Sequence, residues 1–153
     1  MPLFRWVFLL FLLPTLAIGK EPTPSAIELG SKFAAKDTLA CGAETNDDAQ
    51  ACFAKLAWTP SEFTVQLESA NPGSGDWLVR FPSARPIGDN TNDLVSMEWY
   101  AARDKEGAMR RAPAIVVVHE SGSRMTVGRL IAQALNVQGL HAFLLHLPGY
   151  GAR

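Results

Sequence analysis

Residues 114–153 constrain the fold of this chain more than any other stretch, because they read as strand, turn, helix and strand in succession. Residues 114–118 form a short apolar run rich in β-branched side chains, which is typical of a strand buried on both faces. Residues 141–147, His-Ala-Phe-Leu-Leu-His-Leu, form a second, mostly apolar run that is predicted to be the next strand. Between the two runs, apolar residues recur along one helical stripe, at Val127, Leu130, Ile131, Ala134 and Leu135. The pattern predicts a right-handed βαβ unit whose amphipathic helix covers one face of a sheet.

Small and polar residues follow both strands of this unit. Residues 119–123 read His-Glu-Ser-Gly-Ser and lead into the helix, while residues 148–153 read Pro-Gly-Tyr-Gly-Ala-Arg after the second strand. Gly139 is placed to end the helix in a left-handed conformation. Because ligands of such sheets bind outside the carboxyl ends of the strands, we expect a functional cleft between these two turns.

Composition limits the class of protein. The chain has 153 residues, which is room for one domain, and 48% of them are apolar, enough for a packed core. Its 14 Lys and Arg against 15 Asp and Glu give a net charge of −1, without a basic patch or a block of like charge. A nucleic-acid partner is therefore not predicted.

The first nineteen residues read as a secretory signal peptide. Arg5 gives a short positive start, residues 6–18 are almost wholly apolar, and small residues precede a cleavage site after Gly19. The apolar run contains Pro14 and is shorter than the roughly 20 residues that span a bilayer. We predict a secreted or periplasmic protein. An uncleaved anchor is the alternative, and it would be the protein's only contact with a membrane.

Cys41 and Cys52 are the only two cysteines. An even number in an exported chain favours a disulfide, which would join the helix around Cys52 to the turn before it. Two buried free thiols are the alternative. A metal site at this pair is not expected, because the nearest histidine, His119, lies far along the chain.

Residues 20–60 read as a helical leader. We predict one helix over residues 27–39 and a second that Asn46 or Asp47 caps and that ends before Pro60. The second helix is expected to turn four residues inward: Ala49, Cys52, Phe53 and Leu56.

Residues 61–153 are predicted to form the main domain. Alternating or aromatic-rich runs predict strands at 63–68, 77–81 and 94–100, separated by turns rich in Gly, Pro and Asn. Early antiparallel strands followed by a βαβ unit describe an α/β protein with a mixed sheet.

The strand and turn at residues 114–123, the helix after them, and the strand that leads into Pro-Gly-Tyr-Gly-Ala-Arg resemble the first half of an α/β-hydrolase. Within that superfamily they are most similar to dienelactone-hydrolase-like esterases. The resemblance implies a truncated α/β-hydrolase-type mixed sheet, with antiparallel strands first and the βαβ unit after them, preceded by the signal peptide.

The resemblance also implies acyl transfer on a small ester or lactone, without a cofactor. It implies that the backbone N–H of Ser121 stabilises the oxyanion and that Glu120 interacts with the nucleophile. Four further residues would form the rim of the substrate cleft: His119, Gly122, His146 and Tyr150. The family's Gly-x-Ser-x-Gly motif is absent from this sequence. We therefore expect the nucleophile, acid and catalytic histidine beyond Arg153, in a longer chain of which this is the amino-terminal piece.

Spacing tests two other functions of the turn at residues 119–123. A phosphate-binding loop requires four residues between its glycines and then a lysine, whereas Gly122 and Gly128 enclose five residues and Arg129 follows them. A dinucleotide-binding Gly-x-Gly-x-x-Gly is also absent from the sequence. Neither function is predicted.

Other interpretations of the same residues stay open. Ser121 is itself at a strand–turn–helix junction where a nucleophile can lie, and Glu120 has the simpler role of a solvated or ion-paired turn residue. His119, His146 and Glu120 together would make a set of metal ligands. Ordinary hydrogen-bonded histidines are the simpler interpretation, so no metal is predicted. Two other classes also fit an exported chain: a non-catalytic binding module and a membrane-anchored envelope protein.

Overall fold

A computed structural model gives the fold of the chain. The residues that it describes are 28–38, 42–56, 58–122 and 124–153. The predicted signal peptide and Cys41 lie outside these residues, so export and the disulfide stay predictions. Cys52 lies on the surface, and its thiol has no disulfide partner among the described residues. Within the described ranges, no helix has the length and apolar character needed to cross a membrane.

The described residues form a six-stranded sheet and two helices. In chain order the elements are β1 (Lys32–Lys36), α1 (Asp47–Leu56), β2 (Glu62–Ser69), β3 (Trp77–Pro82), β4 (Leu94–Tyr100), β5 (Ala114–Val118), α2 (Thr126–Val137) and β6 (His141–Leu145). The strands lie in the order β1-β2-β3-β4-β6-β5. Helix α2 joins β5 to β6, which pair in parallel, so the strand–helix–strand unit is confirmed.

The expected α/β-hydrolase-type fold is wrong. That arrangement alternates strands and helices, whereas the described residues are mostly sheet and hold a single parallel strand pair joined by a helix. The reason lies in the connections. β2, β3 and β4 are linked without helices, and each strand therefore returns antiparallel beside the one before it.

Part of the predicted first helix is strand β1. Its apolar residues pair with β2, with Phe33 opposite Val65 and Ala35 opposite Phe63. The weak helical pattern of this segment is overridden because the edge of β2 offers backbone partners to an extended chain.

Helix α1 begins as predicted, but its inward face was wrongly assigned. The side chain of Asn46 accepts a hydrogen bond from the Ala49 amide at 3.0 Å, which is an N-terminal cap. Cys52 and Phe53 are nevertheless exposed. The cause is that α1 packs against no other helix or strand of the described chain.

Helix α2 packs on the sheet mainly through its small residues, and of the predicted stripe Leu135 packs against the buried cluster. Gly128 and Ala132 are buried, while Val127, Leu130 and Ile131 stay 47–60% exposed. A Cβ on Gly128 would lie 2.8 Å from the Leu144 side chain, so this glycine permits the close approach of helix and sheet. The buried apolar cluster beneath the helix is Tyr100, Val117, Met125, Ala132, Ala142 and Leu144.

The turn between β2 and β3 offers a paired test of close packing. Gly73 and Gly75 both have positive φ angles, but a Cβ on Gly75 would lie 2.8 Å from the Trp99 carbonyl oxygen, while a Cβ on Gly73 would meet nothing within 4 Å. We expect Gly73→Ala to lower the free energy of unfolding by about 1–2 kcal/mol through backbone strain alone. Gly75→Ala should cost about 1–3 kcal/mol more, measured by urea denaturation. Equal losses of stability in the two variants would show that the close approach of Gly75 to the Trp99 carbonyl oxygen has no effect.

Candidate functional site

The two turns predicted to form a cleft meet at the carboxyl ends of β5 and β6. The Leu147 amide donates a hydrogen bond to Nε2 of His119 at 3.2 Å. The Tyr150 ring lies edge-on to the His119 ring, with 4.9 Å between their centroids, and its hydroxyl donates to the Ser121 carbonyl oxygen at 3.3 Å. The structure therefore brings His119 and Tyr150 of the predicted rim together, whereas His146 contacts Glu98 and the Ala152 amide.

His119 is a buried link between the turns. Its Nδ1 contacts the carbonyl oxygen of Glu120, which can only accept a hydrogen bond, so Nδ1 carries the proton. Its Nε2 accepts the hydrogen bond from Leu147. Both ring nitrogens are used by the backbone, so His119 positions the turn and is not placed to transfer a proton.

His146 is also buried, with its tautomer fixed by its partners. Nδ1 accepts a hydrogen bond from the Ala152 amide at 3.1 Å, so the proton is on Nε2, which lies 3.1 Å from Oε1 of Glu98. The predicted alternative of a metal held by His119, His146 and Glu120 requires free nitrogens that these rings do not offer. Among the described residues, no three His, Cys, Asp or Glu side chains are grouped to hold an ion.

Glu120 caps helix α2 from the preceding turn. Its carboxylate accepts hydrogen bonds from the Val127 and Gly128 amides, each at 3.1 Å. The residue at the N-cap position, Met125, has a left-handed backbone (φ 51°) and no side-chain cap of its own. The hydrogen bond from Val127, together with that from Gly128, holds the pKa of Glu120 below its usual range. In the described chain Glu120 therefore caps α2, and its role toward a nucleophile stays a prediction.

Ser121 and Gly122 are the exposed part of the turn. Their amides donate no hydrogen bond to any acceptor within residues 28–38, 42–56, 58–122 and 124–153. Each flank of this pair is fixed, by His119 on one side and by the capped start of α2 on the other. The turn thus carries two backbone donors, on exposed residues, that no acceptor of the described chain engages.

A buried charged network lies behind the turns, and sequence reasoning missed most of it. The side chain of Glu98 is only 1% exposed. It accepts hydrogen bonds from Nη2 of Arg129 at 2.6 Å, from the Tyr100 hydroxyl at 3.0 Å and from His146 at 3.1 Å. A signal was present in the sequence, because Glu98 interrupts a strand that is otherwise apolar or small.

The network shifts the pKa values of its own members. Burial alone would raise the pKa of Glu98, but the hydrogen bonds from His146, Arg129 and Tyr100 outweigh it and lower that pKa to about 2. Burial and the Glu98 charge raise the pKa of Tyr100. The hydrogen bond with Glu98 raises that of Arg129. The group is therefore an ion pair with a neutral phenol at neutral pH.

A polar cavity of about 370 Å³ lies beside this network. Glu98, Arg129 and His146 form one wall, and Asn71 and Ser74 of the β2–β3 turn form another. Both carboxylate oxygens of Glu98 already accept hydrogen bonds from other residues of the network. The network therefore shapes this end of the sheet rather than offering free charge to a ligand.

Comparisons of the chain with protein-family models, with characterised proteins and with solved structures give no match. The resemblance to esterases therefore rests on the residues alone and stays a prediction.

Proposed function

We propose that this chain supplies the oxyanion-binding turn of a carboxylic-ester hydrolase that acts on a small ester or lactone. The observation that carries the proposal is the amide of the exposed residue Ser121, which has no partner among the described residues. Acyl transfer places negative charge on the carbonyl oxygen of the substrate, and a fixed backbone N–H is the donor that stabilises such charge.

The surroundings of Ser121 support this role. The small residue Gly122 follows it, so a substrate can approach the backbone closely. The negative charge of Glu120 would oppose an oxyanion, but its carboxylate is bound to the Val127 and Gly128 amides at the positive end of α2. That arrangement offsets the charge of Glu120 and leaves the Ser121 amide as the donor for a ligand.

The nucleophile and base of the reaction are not assigned to the described residues. His119 and His146 have both ring nitrogens engaged, so neither is poised to activate a hydroxyl. The 153-residue chain alone is therefore proposed to bind an oxyanion without turning over an ester. Hydrolysis of p-nitrophenyl acetate should not exceed that of a denatured control.

Binding of a tetrahedral oxyanion tests the proposal directly. We expect ethyl methylphosphonate, a monoanion shaped like the acyl-transfer intermediate, to shift the ¹⁵N–¹H signals of Ser121 and Gly122 saturably. Ser121→Ala keeps the backbone N–H and should bind as the wild-type chain does. Ser121→Pro removes the N–H and should weaken binding at least tenfold, about 1.4 kcal/mol.

Two results would overturn the assignment. Equal binding by the Ser121→Pro and Ser121→Ala variants would show that the amide is not the donor. Ester hydrolysis by the wild-type chain that Ser121→Ala abolishes would make the hydroxyl a nucleophile, in place of the oxyanion role of the amide.

A further inference from the structure

A small cavity lies at the part of the sheet that β1, β2 and β3 form. Its volume is about 210 Å³, and Trp58, Phe63 and Phe81 line it together with Asp37. Pockets that hold drug-sized ligands occupy roughly 300–1,000 Å³, so this cavity suits a smaller group. It shares no residue with the turns around Ser121, and its chemistry is therefore independent of the proposed oxyanion site.

The pairing of β1 with β2 brings a carboxylate beside the aromatic rings. Ala35 lies opposite Phe63, and the Asp37 amide donates a hydrogen bond to the Ser61 carbonyl oxygen at 2.9 Å, which extends the pairing beyond the end of β1. Because side chains alternate along a strand, Ala35 and Asp37 face the same side of the sheet as Phe63. The ring of Phe81 in β3 packs beside that of Phe63, with 5.8 Å between their centroids.

Trp58 holds the Asp37 carboxylate without offsetting its charge. The indole Nε1–H donates a hydrogen bond to Oδ2 of Asp37, and both residues are half-buried. Among the described residues, Oδ1 of Asp37 accepts no hydrogen bond, and no Lys, Arg or His forms an ion pair with this carboxylate. A partly buried negative charge of this kind attracts a cation more strongly than a fully hydrated one does.

The same two residue types elsewhere in the chain hold a cation that the protein itself supplies. Arg103 pairs with Asp76 at 3.0 Å, and its guanidinium lies over the Trp77 ring, 5.4 Å from the centroid. That arginine offsets the carboxylate and gains the attraction between a cation and an aromatic face. At Asp37 and Trp58, no cation of the described chain takes the corresponding place. The comparison favours a cation that comes from a ligand.

We propose that this cavity binds a small quaternary ammonium ion such as choline. The methyl groups of the ion pack on the rings of Trp58, Phe63 and Phe81, and its positive charge lies near Oδ1 of Asp37. Burial of the methyl groups and attraction to the carboxylate then act together.

The lining of the cavity favours a quaternary ion over a primary ammonium. A primary ammonium has three N–H donors that need acceptors, whereas a quaternary ion has none. Of the described side chains around the cavity, only those of Asp37, Ser61 and Ser83 can accept a hydrogen bond. The Ser83 hydroxyl is already bonded to the backbone of Arg85. A primary ammonium would therefore leave part of its hydrogen-bonding capacity unused.

Titration with choline, followed through the ¹⁵N–¹H signal of the Trp58 indole, tests the proposal. We expect a saturable shift of that signal. The neutral alcohol 3,3-dimethyl-1-butanol has the shape of choline without its charge, and it should bind at least about tenfold more weakly. A Trp58 signal that choline does not move, or equal affinities for the two compounds, would overturn the proposal.

Two variants that each remove one negative charge test the part of Asp37. Asp37→Asn retains an acceptor for the Trp58 indole, and it should weaken choline binding about tenfold without changing the binding of the neutral alcohol. Glu62→Gln changes an exposed residue whose side chain alternates to the opposite face from Phe63, and this variant should bind choline as the wild-type chain does. Equal effects of the two variants would show that the net charge of the chain attracts choline, and the assignment to Asp37 would be wrong.

Discussion

Replacing Glu98 with alanine is expected to lower the free energy of unfolding by about 3–5 kcal/mol, because it leaves two buried donors, on Tyr100 and His146, and the partly buried Arg129 cation without their acceptor. Arg129 would lose the carboxylate that its Nε and Nη2 contact. The Tyr100 hydroxyl and Nε2 of His146 would lose their acceptor as well. A small domain has only about 5–15 kcal/mol of stability, so the variant should melt at a much lower temperature or fail to fold.

Glu68→Ala provides the matched control. Glu68 also pairs with an arginine, Arg80, at 3.4 Å, but the Glu68 side chain is 37% exposed, against 1% for Glu98. Without Glu68, Arg80 keeps its hydrogen bonds to Ser96 and to the Ala152 carbonyl oxygen. Such a pair is worth about 0–1 kcal/mol, so this variant should unfold close to the wild-type chain in urea. If both variants lost equal stability, burial of the Glu98 network would not be the source of the effect.

Much of the fold could be predicted from local sequence patterns. The strands β4 and β5 have the predicted bounds, because β5 is a short apolar run and β4 an aromatic-rich one, and both patterns are typical of strands. Gly139 follows α2 with a φ angle of 81°, as its place after the helical stripe indicated. These elements depend on neighbours in sequence, and their signals are therefore present in the chain itself.

The packing of α2 and the overall sheet could not be predicted in the same way. Helix amphipathicity indicated the side with Val127 and Ile131, whereas close approach to β6 favours the side with Gly128 and Ala132. That choice depends on which residues fit against Leu144. The spacing of apolar residues along the helix carries no information about this fit. The α/β expectation was wrong for a related reason, since a βαβ unit at the end of a chain does not determine how earlier strands connect.

The candidate site was also predicted only in part. The turns around His119 and Tyr150 were predicted because they follow strands whose carboxyl ends must lie together. Glu98 was missed because its partners come from distant parts of the chain, Arg129 on α2 and His146 after β6. They meet only because β6 lies between β4 and β5, and the sequence does not reveal that order.

Acid should unfold this protein partly through Glu98. Its pKa is about 2 in the folded state, against an ordinary value of 4.5, so its stabilising contribution is complete above about pH 4.5. As the pH falls from 4.5 toward 2, the carboxylate is protonated in the unfolded chain before it is protonated in the folded one. The free energy of unfolding should therefore fall by up to about 3 kcal/mol from this group.

Comparison with Glu98→Gln separates this contribution from other carboxylates. Glutamine keeps the shape of the side chain but does not titrate. The pKa of Glu120 is also lowered, but Glu120 is present in both proteins, so its contribution cancels when their free energies of unfolding are subtracted. Urea denaturation at intervals between pH 6 and pH 2 should show that the wild-type chain is more stable than the variant near pH 6. Its advantage over the variant should shrink below pH 4.5, because the charge that Arg129 requires is lost. An advantage that stays constant across this range would show that Glu98 is not held ionised by its partners.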